Sequence, residues 1–360
     1  MSPAPLMLSV FSTFAVGGPQ VRFAQLVAGL GASWRHAVIV MDGRLGCRER
    51  LPPEADVTFP EIAFRKGEML ANAFRFRGAL KTLKPDLLVT YNWGTIEWAM
   101  ANALPLVRQV HVEDGFGPEE RDRQIPRRVW MRRLLLRRAT VVLPSRRLKA
   151  IARDIWRLPP ARLRYIPNGI DLSRFTPRDR AVLPPVPVIG TVAALRPEKN
   201  LARLVRAFAS VRALRPARLA IVGDGPERAA LEALARELGL VDDVLFHGHQ
   251  PEPASLFSGF DLFALSSDTE QMPLSVLEAM AAGLPVAATD VGDVRLMLAP
   301  ENAPTVVPRD TAALAGAMTR LLLDDTLRRD AGSANRAKAE REYNEHLMVD
   351  AYARVFASPG

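Results

Sequence analysis

One stretch narrows the choice of folds more than any other: residues 261–289, DLFALSSDTEQMPLSVLEAMAAGLPVAAT. DLFAL is a short apolar run of the kind that forms a buried strand. SSDTEQM is polar turn material. Pro273 suits the first turn of a helix, where its missing N–H costs nothing. LSVLEAMAA favours helix, Gly283 reads as the residue just past its end, and Pro285 stops it. PVAAT opens another strand. Strand, loop, helix, strand is the repeating unit of a parallel sheet with helices outside. Glu270 falls in the loop and Glu278 in the helix, so both belong to the C-terminal edge of the sheet, where open α/β folds bind ligands. The helix start between them, Gln271, Met272, Pro273 and Leu274, offers unpaired N–H groups to an oxygen-rich ligand. Two carboxylates there suit a ligand rich in hydroxyls. They read equally as one solvated loop residue and one helix-surface residue.

The same alternation fills the chain, and 360 residues point to two domains. The single cysteine, Cys47, excludes an internal disulfide framework and is compatible with the cytosol. No apolar run approaches the ~20 residues of a membrane span. Leu6 to Val16 has no Lys or Arg before it and runs into Gly17-Gly18-Pro19, so it reads as the first strand and not as a leader. The net charge of +9 is uneven: residues 1–175 carry 28 Lys and Arg against 15 Asp and Glu, the remainder 20 against 24. The first half therefore suits an anionic surface or substrate.

In that half, strands are expected at 6–14, 37–41 and 87–91, then in LVRQVHVEDG and ATVVLPS. Helices are expected at about 20–32, 67–83, 95–104 and 146–157. The 67–83 helix is expected to turn Met69, Leu70, Ala73, Phe74 and Leu80 inward. Gly17 and Gly18 lie where strand becomes helix, and glycines there let backbone approach a ligand. His111 ends a strand and is either a packed residue or a site residue. Glu113 and Asp114 orient an acceptor hydroxyl or take its proton, or else form a polar turn at Gly115. Residues 121–138 hold eight arginines against Asp122, interleaved with Val129, Trp130, Met131 and Leu134 to Leu136. A helix over Arg127–Arg138 either lies on an anionic membrane or docks its leucines into the domain.

The second half opens with a strand at 188–192 and a loop holding Arg196 and Lys199. Cations at that spacing either stabilise a departing diphosphate without a metal or decorate a turn. Gly223 lies in the turn VGDGP, which shapes backbone beneath a ligand. His247 and His249 make a poor metal pair, so no metal or cofactor is expected.

Glu270, seven residues, Glu278 and AMAAGLPV, with VGDGP and the Arg196/Lys199 loop in order, resemble glycosyltransferase family four, the group 1 glycosyltransferases. The resemblance implies GT-B architecture: two Rossmann-like parallel-sheet α/β domains facing across a cleft, with a C-terminal helix crossing back to the first domain. It implies retention of configuration and a nucleotide-diphosphate sugar donor. Glu270 would face the sugar, Glu278 the ribose, and Arg196 and Lys199 the phosphates. The loop of Gly17 and Gly18 would face acceptor and phosphates, His111 the sugar, and His249 the base. Gln271 stands where the family usually has Gly, which narrows the sugar pocket. Pro167-Asn168-Gly169-Ile170-Asp171 with Phe175 and Pro177 is similar to the family's interdomain connection. Domains are therefore expected at 1–175 and 176–342, with a terminal helix over 343–360. The expected activity is hexosyl transfer from a UDP- or GDP-sugar to a glycan or lipid-linked acceptor in envelope polysaccharide or glycolipid synthesis, in the cytoplasm or peripheral on the membrane's inner face. A nucleotide-sugar epimerase or hydrolase of the same fold, or a basic polyanion binder, are the alternatives; no nucleic-acid partner is expected.

Overall fold

The computed structural model describes residues 3–120, 123–178 and 182–358. The chain divides into two units, Met1–Asn168 with His346–Gly360, and Gly169–Glu345.

The first unit is built on a seven-stranded sheet of β1 (Leu6–Phe11), β2 (Arg35–Val40), β3 (Val57–Thr58), β4 (Leu87–Tyr91), β5 (Arg108–Val112), β6 (Thr140–Leu143) and β7 (Leu163–Tyr165). The order is β3-β2-β1-β4-β5-β6-β7, and every pairing is parallel. The strands read as near-continuous apolar runs because helices cover both faces; all five residues of β4 are buried. Connecting helices are α1 (Gly18–Leu30), α2 (Met69–Leu83), α3 (Ile96–Ala101), α4 (Pro126–Leu135) and α5 (Arg146–Asp154). Ser145 starts α5 by accepting from the Leu148 N–H at 2.9 Å, satisfying one of the helix's free donors. In α2 the inward face differs from the expected one. Asn72, Ala73, Phe76 and Leu80 are buried, whereas Leu70 and Phe74 are 70% and 77% exposed. Phe76 stacks on Trp98 with ring centroids 4.4 Å apart, and that contact sets the helix's rotation.

The second unit has a six-stranded sheet of β8 (Val188–Val192), β9 (Arg218–Val222), β10 (Val244–Gly248), β11 (Leu262–Leu265), β12 (Val286–Thr289) and β13 (Val306–Val307), ordered β10-β9-β8-β11-β12-β13 and parallel throughout. Its helices are α6 (Leu201–Leu214), α7 (Arg228–Glu237), α8 (Ala254–Phe257), α9 (Leu274–Ala281), α10 (Val294–Met297), α11 (Thr311–Leu323) and α12 (Asp325–Glu342). Ile170 and Phe175 belong to this unit's core. The Ile170 N–H donates to the Tyr343 carbonyl at 2.8 Å, and Ile170's carbonyl accepts from the Glu345 N–H at 3.0 Å. The last helix, α13 (Glu345–Ala357), returns from His346 to the first unit, where Met348, Val349, Tyr352, Val355 and Phe356 share a core with Phe23, Leu26 and Val27 of α1. Both sheets reverse their strand order once, between β1 and β4 and between β8 and β11. A crevice opens at each such point, at the carboxyl ends of the strands.

Candidate functional site

The reversal between β8 and β11 brings two loops side by side: residues 193–200 after β8 and 266–273 after β11. Lys199 Nζ lies 2.6 Å from Glu270 Oε1. The same oxygen accepts from Ser267 Oγ at 2.7 Å. Arg203, in the first turn of α6, donates to the Ser266 carbonyl at 2.8 Å and to Asp268 Oδ1 at 2.7 Å. Asn200 Nδ2 donates to Asp268 Oδ2 at 3.1 Å, and Ser266 Oγ donates to the Lys199 carbonyl at 2.9 Å. The Asp268 N–H donates to the Glu198 carbonyl at 2.9 Å. These bonds make the cation-bearing loop and the Glu270 loop one rigid piece. Arg196 is exposed, and its side chain has no ion pair among the described residues.

Two glycines set how closely these loops pack. Gly223 has φ +136, and a Cβ there would fall 1.9 Å from the Ala193 carbonyl oxygen. The VGDGP turn thus lies against the back of the Arg196 loop. Gly292 has φ +55, and a Cβ there would fall 2.4 Å from the Glu270 carbonyl oxygen and 2.7 Å from that of Gln271. The turn after β12 therefore seats the Glu270 loop from behind. Pro273 caps α9, which begins at Leu274, one position later than expected. Met272 and Pro273 are buried, while Gln271, Leu274 and Glu278 are half-buried. His249, after β10, is exposed, as is His247. Among the described residues no group of three or more His, Cys, Asp or Glu is placed to hold a metal ion.

The first unit's candidates meet at the carboxyl ends of β1 and β5. Gly17 is extended and caps α1, with Gly18 its first residue. His111 is fully buried; its Nδ1 shares a hydrogen bond with Thr90 Oγ1 at 2.9 Å, and its Nε2 lies 3.6 Å from Glu113 Oε2. Glu113, expected at an acceptor, is fully buried as well. It accepts from Arg132 Nε at 3.2 Å. Asp114 accepts from both terminal nitrogens of Arg22, at 2.5 and 2.8 Å, and its side chain is 15% exposed. Burial alone would lower the Arg22 pKa, but the charge and hydrogen bonds of Asp114 together with Tyr352 and Tyr91 more than offset this and hold it above the ordinary value. Both carboxylate oxygens of Asp114 are engaged by that pair.

The arginine-rich helix docks Met131 and Leu136 into the domain, with Val129 and Leu135 packed against them, but one of its arginines was not expected to be inside. Arg132 is fully buried. It donates to Glu120 at 3.1 and 2.9 Å, and its guanidinium lies 5.1, 5.4 and 5.0 Å from the ring centres of Trp93, Phe116 and Trp156. Burial would raise the Glu120 pKa, yet the Arg132 and Arg128 contacts hold it below the usual range. Arg132 thus ties the 113–120 loop to α4 and lies away from any surface. Arg121 and Asp122 fall outside the described residues.

Residues 16–174 match the model of glycosyltransferase family 4, and residues 176–338 that of the glycosyl transferases group 1. The chain belongs to the group 1, family 4 glycosyltransferases. Among this family's curated members, N-acetyl-alpha-D-glucosaminyl L-malate synthase of Bacillus anthracis is 31% identical over 166 residues, 46% of this chain and 44% of that protein. The GDP-mannose-dependent monoacylated alpha-(1-6)-phosphatidylinositol monomannoside mannosyltransferase of Corynebacterium glutamicum is 30% identical over 213 residues, 54% and 56% of the two chains. The chain thus spans about half the length of these relatives. The crystal structure of HepE from Anabaena with UDP and glucose superposes with a TM-score of 0.82 at 18% identity, covering 98% of this chain and 99% of that one. The fold of this group 1 chain is GT-B.

Ser267, Asp268, Arg203 and Asn200 were not singled out as site residues from sequence. Their only trace there is the Ser-Ser-Asp run ahead of Glu270, read as turn material.

Proposed function

We propose that the chain transfers a hexosyl group from a nucleoside-diphosphate sugar to a hydroxyl of a glycan or lipid-linked acceptor, with retention of configuration and without an obligatory metal. One observation carries this reading: Lys199 and Glu270 are bonded to each other on adjacent loops at a strand-order reversal, with Arg196 on the same loop. A donor brings a partner for each. Its diphosphate takes the ammonium, and its sugar hydroxyls donate to the carboxylate that the ammonium releases. The bond from the anomeric carbon to the phosphate oxygen then breaks with its electron pair on the phosphate, where Arg196 and Lys199 offset the charge. The acceptor oxygen bonds to the carbon on the same face and passes its proton to the departing phosphate oxygen. Glu270, still held by Ser267 Oγ once Lys199 has turned to the diphosphate, is assigned the sugar hydroxyls and not the attack. Glu278, one turn into α9, is assigned the ribose, and His249 the base. The relatives support the donor class: one is named GDP-mannose-dependent, and HepE was crystallised with UDP and glucose. The C. glutamicum relative, named for a phosphatidylinositol substrate, supports a role in glycolipid or polysaccharide synthesis.

The test is thermal stabilisation by UDP-, GDP- and ADP-sugars with and without EDTA, followed by turnover of the Arg196→Ala/Lys199→Ala double variant. A ligand at 100 times its Kd adds about 2.7 kcal/mol, so one base should give a clear shift that EDTA leaves intact. The double variant should lose at least about 10²-fold in turnover. Near-wild-type turnover would remove the two cations from the mechanism. Donor breakdown without any acceptor would identify a hydrolase or epimerase instead.

A further inference from the structure

The seven strands of the first sheet run parallel, so the loops entering β5, β6 and β7 emerge at the edge opposite Gly17, His111 and Asp114. Three grooves run together there. The central one, about 500 Å³, lies between the outer face of α4 and residues 153–160. Trp130, Leu134 and Pro159 form its walls, with Arg133, Arg137, Arg153 and Arg157 around it. It shares Leu134, Arg137 and Pro159 with a groove of about 1140 Å³ that reaches Leu104 and Leu106. It shares Arg153 and Pro160 with a third, of about 520 Å³, that reaches Lys149. No Asp or Glu lines any of them. Arg133, Arg137 and Arg157 make no ion pair among the described residues, and Arg153 pairs only with the exposed Asp154. Arg157 holds φ +53 between the buried Trp156 and Leu158, a conformation that strains any residue with a Cβ and that glycine or asparagine adopts more readily. Trp130, Leu134 and Leu104 are 62%, 57% and 71% exposed.

We propose that this amino edge of the first sheet docks on an anionic phospholipid surface. Guanidinium groups match phosphate oxygens in a fork geometry, so lipid phosphates seat among Arg133, Arg137 and Arg157. Trp130, Leu134 and Leu104 enter the boundary between headgroups and acyl chains, the depth that tryptophan favours. The exposed apolar side chains select a bilayer over a soluble polyanion, which charge alone would bind. Docked this way, the carboxyl edge of β5 stands about 15 Å further from the lipid. That suits an acceptor hydroxyl extended on a saccharide. This last point rests on the reaction proposed above; the docking does not.

The experiment is co-sedimentation of the 360-residue chain with vesicles of phosphatidylglycerol and phosphatidylcholine in equal parts, against pure phosphatidylcholine. The expected result is binding to the former only, weakening as salt rises from about 50 to 500 mM. Arg137→Glu/Arg157→Glu should weaken it at least tenfold, Trp130→Ser/Leu134→Ser several-fold, and Arg65→Glu/Lys66→Glu not at all. All these side chains lie at the surface, so thermal midpoints should hold. No binding to the anionic vesicles overturns the proposal. So does unchanged binding by the Arg137/Arg157 variant, or loss confined to the Arg65/Lys66 variant, which would place the contact on the loop ahead of α2. Wild-type binding by the Trp130/Leu134 variant, with displacement by a short DNA duplex, would reassign the grooves to a soluble polyanion.

Discussion

The space a methyl would need at Gly292 is already occupied by the carbonyls of Glu270 and Gln271, and the backbone there sits at positive φ. Gly292→Ala must therefore push the Glu270 loop forward, toward the ligand. A misplacement of about 1 Å costs on the order of 10² in rate, so turnover should fall about that much while stability drops by about 1–2 kcal/mol. Paired measurements of kcat and thermal midpoint check this; a normal kcat would mean that the turn does not position Glu270. Residues whose chemistry is their type were readable in sequence. Glu270, Lys199 and Arg196 are a carboxylate and two cations whichever way they point. Arg203 and Asp268 were not readable, because their bond spans 65 residues. It exists only because β8 and β11 are neighbours, which no local pattern announces.

Adjacent positions on α4 lie about 100° apart around the axis, and Arg132 and Arg133 show what that does. Arg132 is boxed by two carboxylates and three rings, whereas Arg133 is exposed. Arg132→Met would leave Glu113 buried without its guanidinium partner and Glu120 with Arg128 alone, and should cost about 3–5 kcal/mol. Arg133→Met should stay within about 0.5 kcal/mol. The pH dependence separates lost packing from lost charge pairing. In the parent, Glu120 is held below its ordinary 4.5, so the stability it contributes is present above that pH and lost as pH falls through the lowered value. In Arg132→Met, Glu120 loses the largest contacts that oppose its burial, so its carboxyl rises and acidification from about pH 7 to 5 should stabilise the variant. Urea unfolding at the two pH values measures both effects; equal costs for the two variants and no inversion would mean the network is incidental. A counter of charges sees eight similar arginines, but a signal was present: Arg132 falls three residues after Val129 and four before the buried Leu136, on the apolar stripe. In α2 two apolar stripes compete, one through Leu70 and Phe74 and the other through Ala73, Phe76 and Leu80. Only the stack on Trp98, which comes from another helix, decides between them.

At the scale of the whole chain, element order and both parallel sheets followed from alternating apolar runs and turn residues. The two-residue β3 and three-residue β7 were too short to show a period. The return of α13 to the first unit came from resemblance alone, since an amphipathic helix does not say which core it covers. Five of its side chains are part of that core, and at about 1.5–3 kcal/mol each they contribute on the order of 10 kcal/mol, comparable with a domain's whole stability. A chain ending at residue 345 should therefore lose the first unit and keep the second. Limited proteolysis should leave a core within 169–345; protection of 3–168 would show that α13 is dispensable. The arrangement also has a consequence in time. A ribosome adding roughly 5–20 residues per second needs roughly 10–40 s to travel from Asn168 to His346. Through that interval the nascent first unit waits with one wall of its core open while the second is completed behind it, so the domain that is begun first is the one finished last.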